Sequence, residues 1–153
     1  MAIEARQLAA VLEQTQAPVF EYYPNLRRLR GYVLDRLQHS ISLAEAAGVA
    51  GLERKYFSAF FHRRVGIPFS QWITLLRLAR AIELIQREDN TLGIVAAKSG
   101  FADRRTFERA FRKYLRLTPR EFRAATRPRA DWRDLGAELD ATRADVEASR
   151  SSR

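Results

Sequence analysis

The chain has 153 residues, 46% of them hydrophobic, and its 27 Lys and Arg against 18 Asp and Glu give a formal net charge of +9 and a pI near 10.7. This length predicts one domain or two very small ones, and the absence of cysteine excludes disulfides, thiolate metal sites and cysteine nucleophiles. No apolar run approaches the roughly 18 residues of a membrane span and the N-terminus has no signal-peptide pattern, so we expect a cytoplasmic protein without membrane contact.

The positive charge is concentrated before residue 124. Residues 1–123 hold 21 Lys and Arg against 12 Asp and Glu, whereas residues 124–153 hold six of each. An uneven excess of this kind favours a polyanionic partner, with nucleic acid ahead of a membrane surface.

The N-terminal part of the chain carries two possible helices and a break between them. Residues 3–14 have apolar side chains at the spacing of an amphipathic helix, and residues 15–24 contain two prolines and predict a linker. Leu and Val recur at helical intervals over residues 26–37. We therefore expect an N-terminal extension over 1–25 and a folded helix from residue 26.

From residue 42 the chain repeats one pattern at an offset of 49 residues, which becomes 50 after the glycine turn. Each copy has a hydroxyl cap, a short apolar helix, a glycine turn and a basic helix with two phenylalanines, which is the helix-turn-helix plan. The matching positions are Ser42 and Thr91, Leu43 and Leu92, Ala47 and Ala96, Gly51 and Gly100, Leu52 and Phe101, Phe57 and Phe107, and Phe61 and Phe111. Two copies predict a monomer that reads two segments of one DNA site.

Capping signals give the expected helix ends. Residues 42–45 and 118–121 each fit a capping box, the second with proline at the first helical position. Thr91 and Asp103 are good N-cap residues, and Gly66 is the expected left-handed residue at the end of the first basic helix.

The remaining segments complete an all-α prediction with no strand signal. Residues 70–87 carry apolar side chains around a wide arc, which predicts a long connector helix packed on two sides. Residues 127–129 predict a linker, followed by one apolar stripe made of Trp132, Leu135, Leu139 and Val146. The expected divisions are the extension 1–25, the first helix-turn-helix unit 26–69, the connector 70–88, the second unit 89–123 and the tail 124–153.

The two basic helices, over about 54–64 and 103–116, divide into an apolar and a polar face, and we call them the reading helices. The major groove of B-DNA admits one α-helix, and an arginine fork can bind guanine O6 and N7 together. The expected base-reading side chains are Lys55 and Ser58 with Ala59 for a thymine methyl in the first helix, and Arg104, Arg105 and Arg109 in the second. The expected phosphate contacts are Arg54, Arg63, Arg64, Arg112, Lys113 and Arg116.

The charge pattern alone does not require DNA. Two solvated basic faces on a helical bundle would carry the same charges, although the agreement of caps, glycine turns and repetition favours DNA binding. The phenylalanines and Trp72 are expected in the core, and His62 is expected to contact phosphate or solvent. With no catalytic dyad, metal set or phosphate loop in the sequence, we expect no enzyme activity and no cofactor.

Residues 26–123 resemble the DNA-binding domain of the AraC/XylS-type bacterial transcription regulators. The resemblance is carried by Leu43, Ala47, Gly51, Tyr56, Ser58, Phe61, Gly66, Trp72, Arg77, Ala81, Leu84, Ala96, Gly100, Phe101, Asp103, Phe107, Arg109, residues 111–113, Thr118, Pro119 and residues 121–123. It implies a seven-helix domain, both reading helices in successive major grooves of double-stranded DNA, and activation through RNA polymerase. The groove positions that it implies are Lys55, Ser58, Ala59, Arg104, Arg105, Thr106 and Arg109.

Three residues depart from the family pattern. Ala59 stands where the family often has arginine, and Arg105 stands where it often has a small polar residue. Arg116 replaces the usual glycine after the second reading helix. Residues 1–25 are too short for the usual effector domain, so no small-molecule effector site is expected. Besides an activator, the sequence allows a protein adaptor or anti-activator that uses residues 3–12 or 132–146, and a nonspecific DNA-coating protein.

Overall fold

The computed structural model describes residues 17–126 together with Arg6, Ala9, Ala10 and Glu13. Residues 17–126 form eight helices and no strand, which confirms the all-α prediction. The helices are α1 Val19–Tyr22, α2 Pro24–Asp35, α3 Leu43–Val49, α4 Arg54–Val65, α5 Phe69–Arg87, α6 Leu92–Ser99, α7 Arg104–Leu115 and α8 Pro119–Thr126. None of these helices has the length and hydropathy that crossing a membrane requires.

The predicted caps begin the helices of both units. Ser42 Oγ accepts from the Glu45 backbone N–H at 3.0 Å, and Thr91 Oγ1 accepts from that of Ile94 at 3.3 Å. The second capping box is closed by the Thr118 backbone N–H, which donates to Glu121 Oε2 at 2.7 Å. Each such cap stabilises a protein by about 1 kcal/mol, so the turns that precede α3, α6 and α8 are set locally.

The predicted linker over residues 15–24 is wrong for residues 17–24. Tyr22 is exposed, but Phe20 of α1 is buried in the core, with its ring centroid 4.9 Å from that of Trp72. Helix α2 begins at Pro24 rather than at Leu26, because proline at the first helical position loses no hydrogen bond. The described part of the chain therefore has one helix more than the seven that the resemblance implies.

Two hydrophobic cores share α5, which confirms the connector packed on two sides. Trp72, Ile73 and Leu76 belong to the core of the first unit, and Leu78 and Ile85 belong to that of the second. The paired phenylalanines of both reading helices are fully buried, as predicted; they are Phe57 and Phe61 in α4, and Phe107 and Phe111 in α7. The second helix of each unit is thereby anchored through one face.

Three predicted features fall outside or partly outside this part of the chain. The apolar stripe from Trp132 to Val146 and the linker over 127–129 lie outside the described residues. Of the predicted helix over 3–14, the four described residues are helical and exposed.

Candidate nucleic-acid interface

The first reading helix, α4, presents a basic surface opposite its buried phenylalanines. It ends at Gly66, whose left-handed backbone (φ 91°) confirms the predicted stop. All seven predicted contact residues in this helix are exposed: Arg54, Lys55, Ser58, Ala59, His62, Arg63 and Arg64. The side chains that the sequence assigned to DNA therefore share the open surface of one helix.

Aromatic rings position two cations of this helix. Tyr56 is 57% exposed, and Lys55 Nζ lies 4.9 Å from its ring centroid. The Arg64 guanidinium lies 4.9 Å from the ring of Tyr23, in the turn before α2. Tyr56 is exposed because the packed face is centred on Phe57 and Phe61, from which it is turned by about 100° and 140° around the helix.

The second reading helix, α7, starts at a strong cap. Asp103 accepts from the Thr106 backbone N–H at 2.7 Å and from the Thr106 hydroxyl at 3.1 Å. These hydrogen bonds lower the pKa of the Asp103 carboxyl, because they stabilise its charged form. Thr106 is half-buried and its hydroxyl proton is already engaged, so this predicted groove residue also serves the cap.

The arginines of α7 differ in their partners. Arg104 Nε donates to Glu108 Oε1 at 2.8 Å, an ion pair between residues one turn apart. Arg105 and Arg109 are exposed and make no ion pair within residues 17–126. Further along the same helix the predicted phosphate contacts are also exposed; they are Arg112, Lys113 and Arg116.

Arg116 ends α7 in the left-handed conformation (φ 61°, ψ 14°) that glycine adopts at the end of α4. The turn is therefore kept although its usual residue is replaced. Left-handed backbone costs an ordinary residue about 1–2 kcal/mol. Within residues 17–126 this strain falls on Arg116, the one residue other than glycine with a positive φ.

Substitution of Arg116 by glycine should stabilise the protein by about 1 kcal/mol, because glycine relieves the left-handed strain and loses part of the gain to chain entropy. Urea denaturation measures this change. Arg112→Gly is the matched control, since it removes the same charge from the same helix at a helical position and should cost about 1 kcal/mol. A loss in both variants would contradict the left-handed end of α7.

Two arginines outside the reading helices stabilise the individual units. Arg28 Nε donates to the backbone carbonyl of Val49 at 2.9 Å, which caps the end of α3. The Arg123 guanidinium donates to the carbonyl of Asn90, and so fastens α8 to the start of the second unit. Within residues 17–126 no group of three carboxylate or imidazole side chains is placed to hold a metal ion.

These elements define a tandem helix-turn-helix DNA-binding domain, with two exposed basic helices on one shared connector. The helix-turn-helix domain family matches residues 43–125, more than half of the chain. The chain belongs to this family, which is of the AraC/XylS type and consists of DNA-binding domains of transcription regulators rather than enzymes.

Proteins similar to this chain agree with that assignment. It is 33% identical over 98 residues to a probable transcriptional regulator, LumQ, of Photobacterium leiognathi, covering 64% of this chain and 40% of LumQ. It is 32% identical over 74 residues to the F1 operon positive regulatory protein of Yersinia pestis, covering 48% of this chain and 25% of that protein. The DNA-binding domain of AdpA, a global transcriptional factor solved with a target DNA, superposes with a TM-score of 0.64 at 26% identity, covering 68% of this chain and 94% of that domain. The chain thus spans less than half the length of either full regulator.

Proposed function

We propose that the protein is a sequence-specific DNA-binding transcription regulator of the cytoplasm that acts as a monomer. In this proposal α4 and α7 enter successive major grooves of one duplex. The observation that carries it is the pair of exposed basic helices, each anchored by two buried phenylalanines to a core that includes α5. The likeness to a DNA-binding domain solved with its target DNA supports DNA binding by this chain.

The two reading helices contribute unequally to the recognition of base sequence. Arg105 and Arg109 are the main base readers, because their guanidinium groups are exposed and make no ion pair within residues 17–126. Arg104 reads a base from a position fixed by Glu108, and Thr106 stays with the cap. The first helix offers Lys55, Ser58 and the methyl group of Ala59, which discriminate less than an arginine fork does.

The remaining cations supply affinity rather than sequence preference. Contacts to phosphate fix the register of a protein on the duplex and carry no direct sequence information. The proposed phosphate contacts are Arg54, His62, Arg63, Arg64, Arg112, Lys113 and Arg116. We further propose that the bound protein activates transcription through RNA polymerase, which the similarity to a positive regulatory protein supports.

Selection from a random duplex library at physiological salt tests bipartite binding. We expect two short motifs about one helical turn, roughly 10 bp, apart. Recovery of one motif alone would mean that only one unit reads bases, and no enrichment would contradict sequence-specific binding. Transcription in vitro with purified RNA polymerase from a promoter preceded by the selected site then tests activation, and unchanged or reduced transcript would contradict it.

Arg109→Ala should weaken binding to the selected site by about 1–3 kcal/mol and relax the preference at one base pair, because it removes a base-reading fork. Arg63→Ala, the control in the other reading helix, removes a phosphate contact. It should weaken all sequences alike and reduce the slope of log K against log salt by about one unit. Titrations of the selected and random duplexes at several salt concentrations measure both effects. Identical behaviour of the two variants would contradict the proposed roles.

A further inference from the structure

The two helix-turn-helix units touch where the second glycine turn meets the end of α2. Gly100 follows α6 with a left-handed backbone (φ 93°). A Cβ atom on Gly100 would lie 2.0 Å from the carbonyl oxygen of Leu37 and 2.9 Å from Arg77 Nε. The turn of the second unit is therefore pressed against the backbone of the first.

A side chain from the connector fastens this junction. Arg77 Nε donates to the carbonyl of Leu37 at 3.3 Å, and Nη2 of the same guanidinium donates to the carbonyl of His39 at 3.1 Å. The two carbonyls follow the end of α2, where no helical partner is available to them. Burial lowers the pKa of the Arg77 guanidinium, which reflects its partial removal from water.

Beside this junction the units are separated by an open groove of about 740 Å³. Its walls come from the end of α2, from α5 and from Lys98 at the end of α6. The buried side chains of the two units also form two separate clusters that meet along α5. A shared helix alone would leave the two units free to bend relative to each other. The junction thus adds a polar link between them, formed by Arg77, Leu37, His39 and Gly100.

We propose that Arg77 is a positioning residue that locks the two units at one separation and so sets the half-site spacing that the protein accepts. This inference rests on the proposed bipartite binding. One added base pair between half-sites moves the second by about 3.4 Å and turns it by about 35° around the duplex. If the two reading helices are held at a fixed separation, one of them then loses its contacts with the bases of its half-site. If the units can move relative to each other, both helices can still reach their half-sites.

The test uses the selected site with one base pair inserted between the half-sites, and equally with one removed. The wild-type chain should lose at least about tenfold in affinity, because a single lost base contact weakens binding about as much. Arg77→Ala should bind the original site more weakly but lose less than about threefold on insertion, and Arg77→Lys should fall between, since it keeps the charge without the two-pronged donor. Arg80→Ala, one turn away and 3.9 Å from the Glu83 carboxylate, should behave as wild type.

A second readout needs no DNA. The chain has no cysteine, so Ala44→Cys in α3 and Ala97→Cys in α6, both at exposed positions, accept spin labels without competition. Electron–electron distance measurements on the full chain report the distance between the two labels. The distribution of this distance should be narrow in the wild-type and Arg80→Ala backgrounds and clearly wider in Arg77→Ala and Arg77→Lys.

If the distance distribution is no wider in the Arg77 variants than in the wild type, Arg77 does not lock the units. If the distribution is wider but the affinity lost on changing the half-site spacing is the same as in the wild type, Arg77 does not set the spacing. If the chain selects no two-part site, the proposed function fails, and the distance distribution still decides whether Arg77 locks the units. Circular dichroism of each variant checks that the helices are intact before either comparison.

Discussion

Replacement of Gly100 by alanine should destabilise the protein by about 2–5 kcal/mol, the sum of a strained backbone and a collision between two chain segments. The left-handed φ of 93° is costly for any residue with a Cβ. That Cβ would meet the Leu37 carbonyl at 2.0 Å, and a backbone atom at the end of a packed helix cannot turn aside as a flexible side chain does. Urea denaturation followed by circular dichroism measures the loss.

Gly66→Ala is the matched control for this prediction. Gly66 has nearly the same backbone angle (φ 91°), but apart from the adjoining residues no atom lies within 4 Å of the position of its Cβ. Its replacement should therefore cost only the strain, about 1–2 kcal/mol. Equal losses at the two glycines would show that the second turn does not press on Leu37, and would remove one of the two contacts on which the junction between the units rests.

The parts of the fold that local chemistry determines were accessible from the sequence. The caps at Ser42, Thr91 and Asp103 act within one helical turn, and each forms the hydrogen bond that its residue type predicts. Gly66 takes the left-handed conformation expected of it. The paired phenylalanines repeat at helical spacing, so their burial follows from periodicity alone.

Contacts between distant segments were not accessible in this way. Arg77 reaches carbonyls 40 and 38 residues earlier, and the sequence offers only an arginine within an apolar helix as a signal. The glycine pattern predicted a turn at Gly100 but not its closeness to Leu37, because the approach depends on how α2 and α6 both pack on α5. Only five residues separate Pro18 from Pro24, too few for a periodicity that would identify Phe20 as a core residue.

For the candidate site, the helical wheel predicted which side chains are exposed, but not which of them already have a partner within the protein. The charged residues of both reading helices are on the surface as expected. The ion pair of Arg104 with Glu108 follows an i, i+4 spacing that was visible in the sequence. The engagement of Thr106 by Asp103 follows from capping geometry, which competes with the groove for the same hydroxyl group.

Replacement of Phe20 by alanine should destabilise the protein by about 3–5 kcal/mol, the usual loss for a buried phenylalanine. Its ring stacks on Trp72 at 4.9 Å and lies 6.3 Å from that of Phe61, so its removal leaves a cavity against the anchor of the first reading helix. A four-residue helix has no stability of its own, and Phe20 is the one fully buried side chain by which α1 packs on the core, with Val19 partly buried beside it. The free energy of unfolding in urea measures the loss.

Tyr22→Ala controls for the loss of an aromatic ring from the same helix. Tyr22 is 78% exposed, and its replacement should change the stability by less than about 0.5 kcal/mol. If Phe20→Ala cost no more than Tyr22→Ala, the segment before α2 would be a linker after all. If the loss is as large as expected, α1 is part of the folded unit, and the first reading helix depends for its anchorage on a residue before the repeat begins.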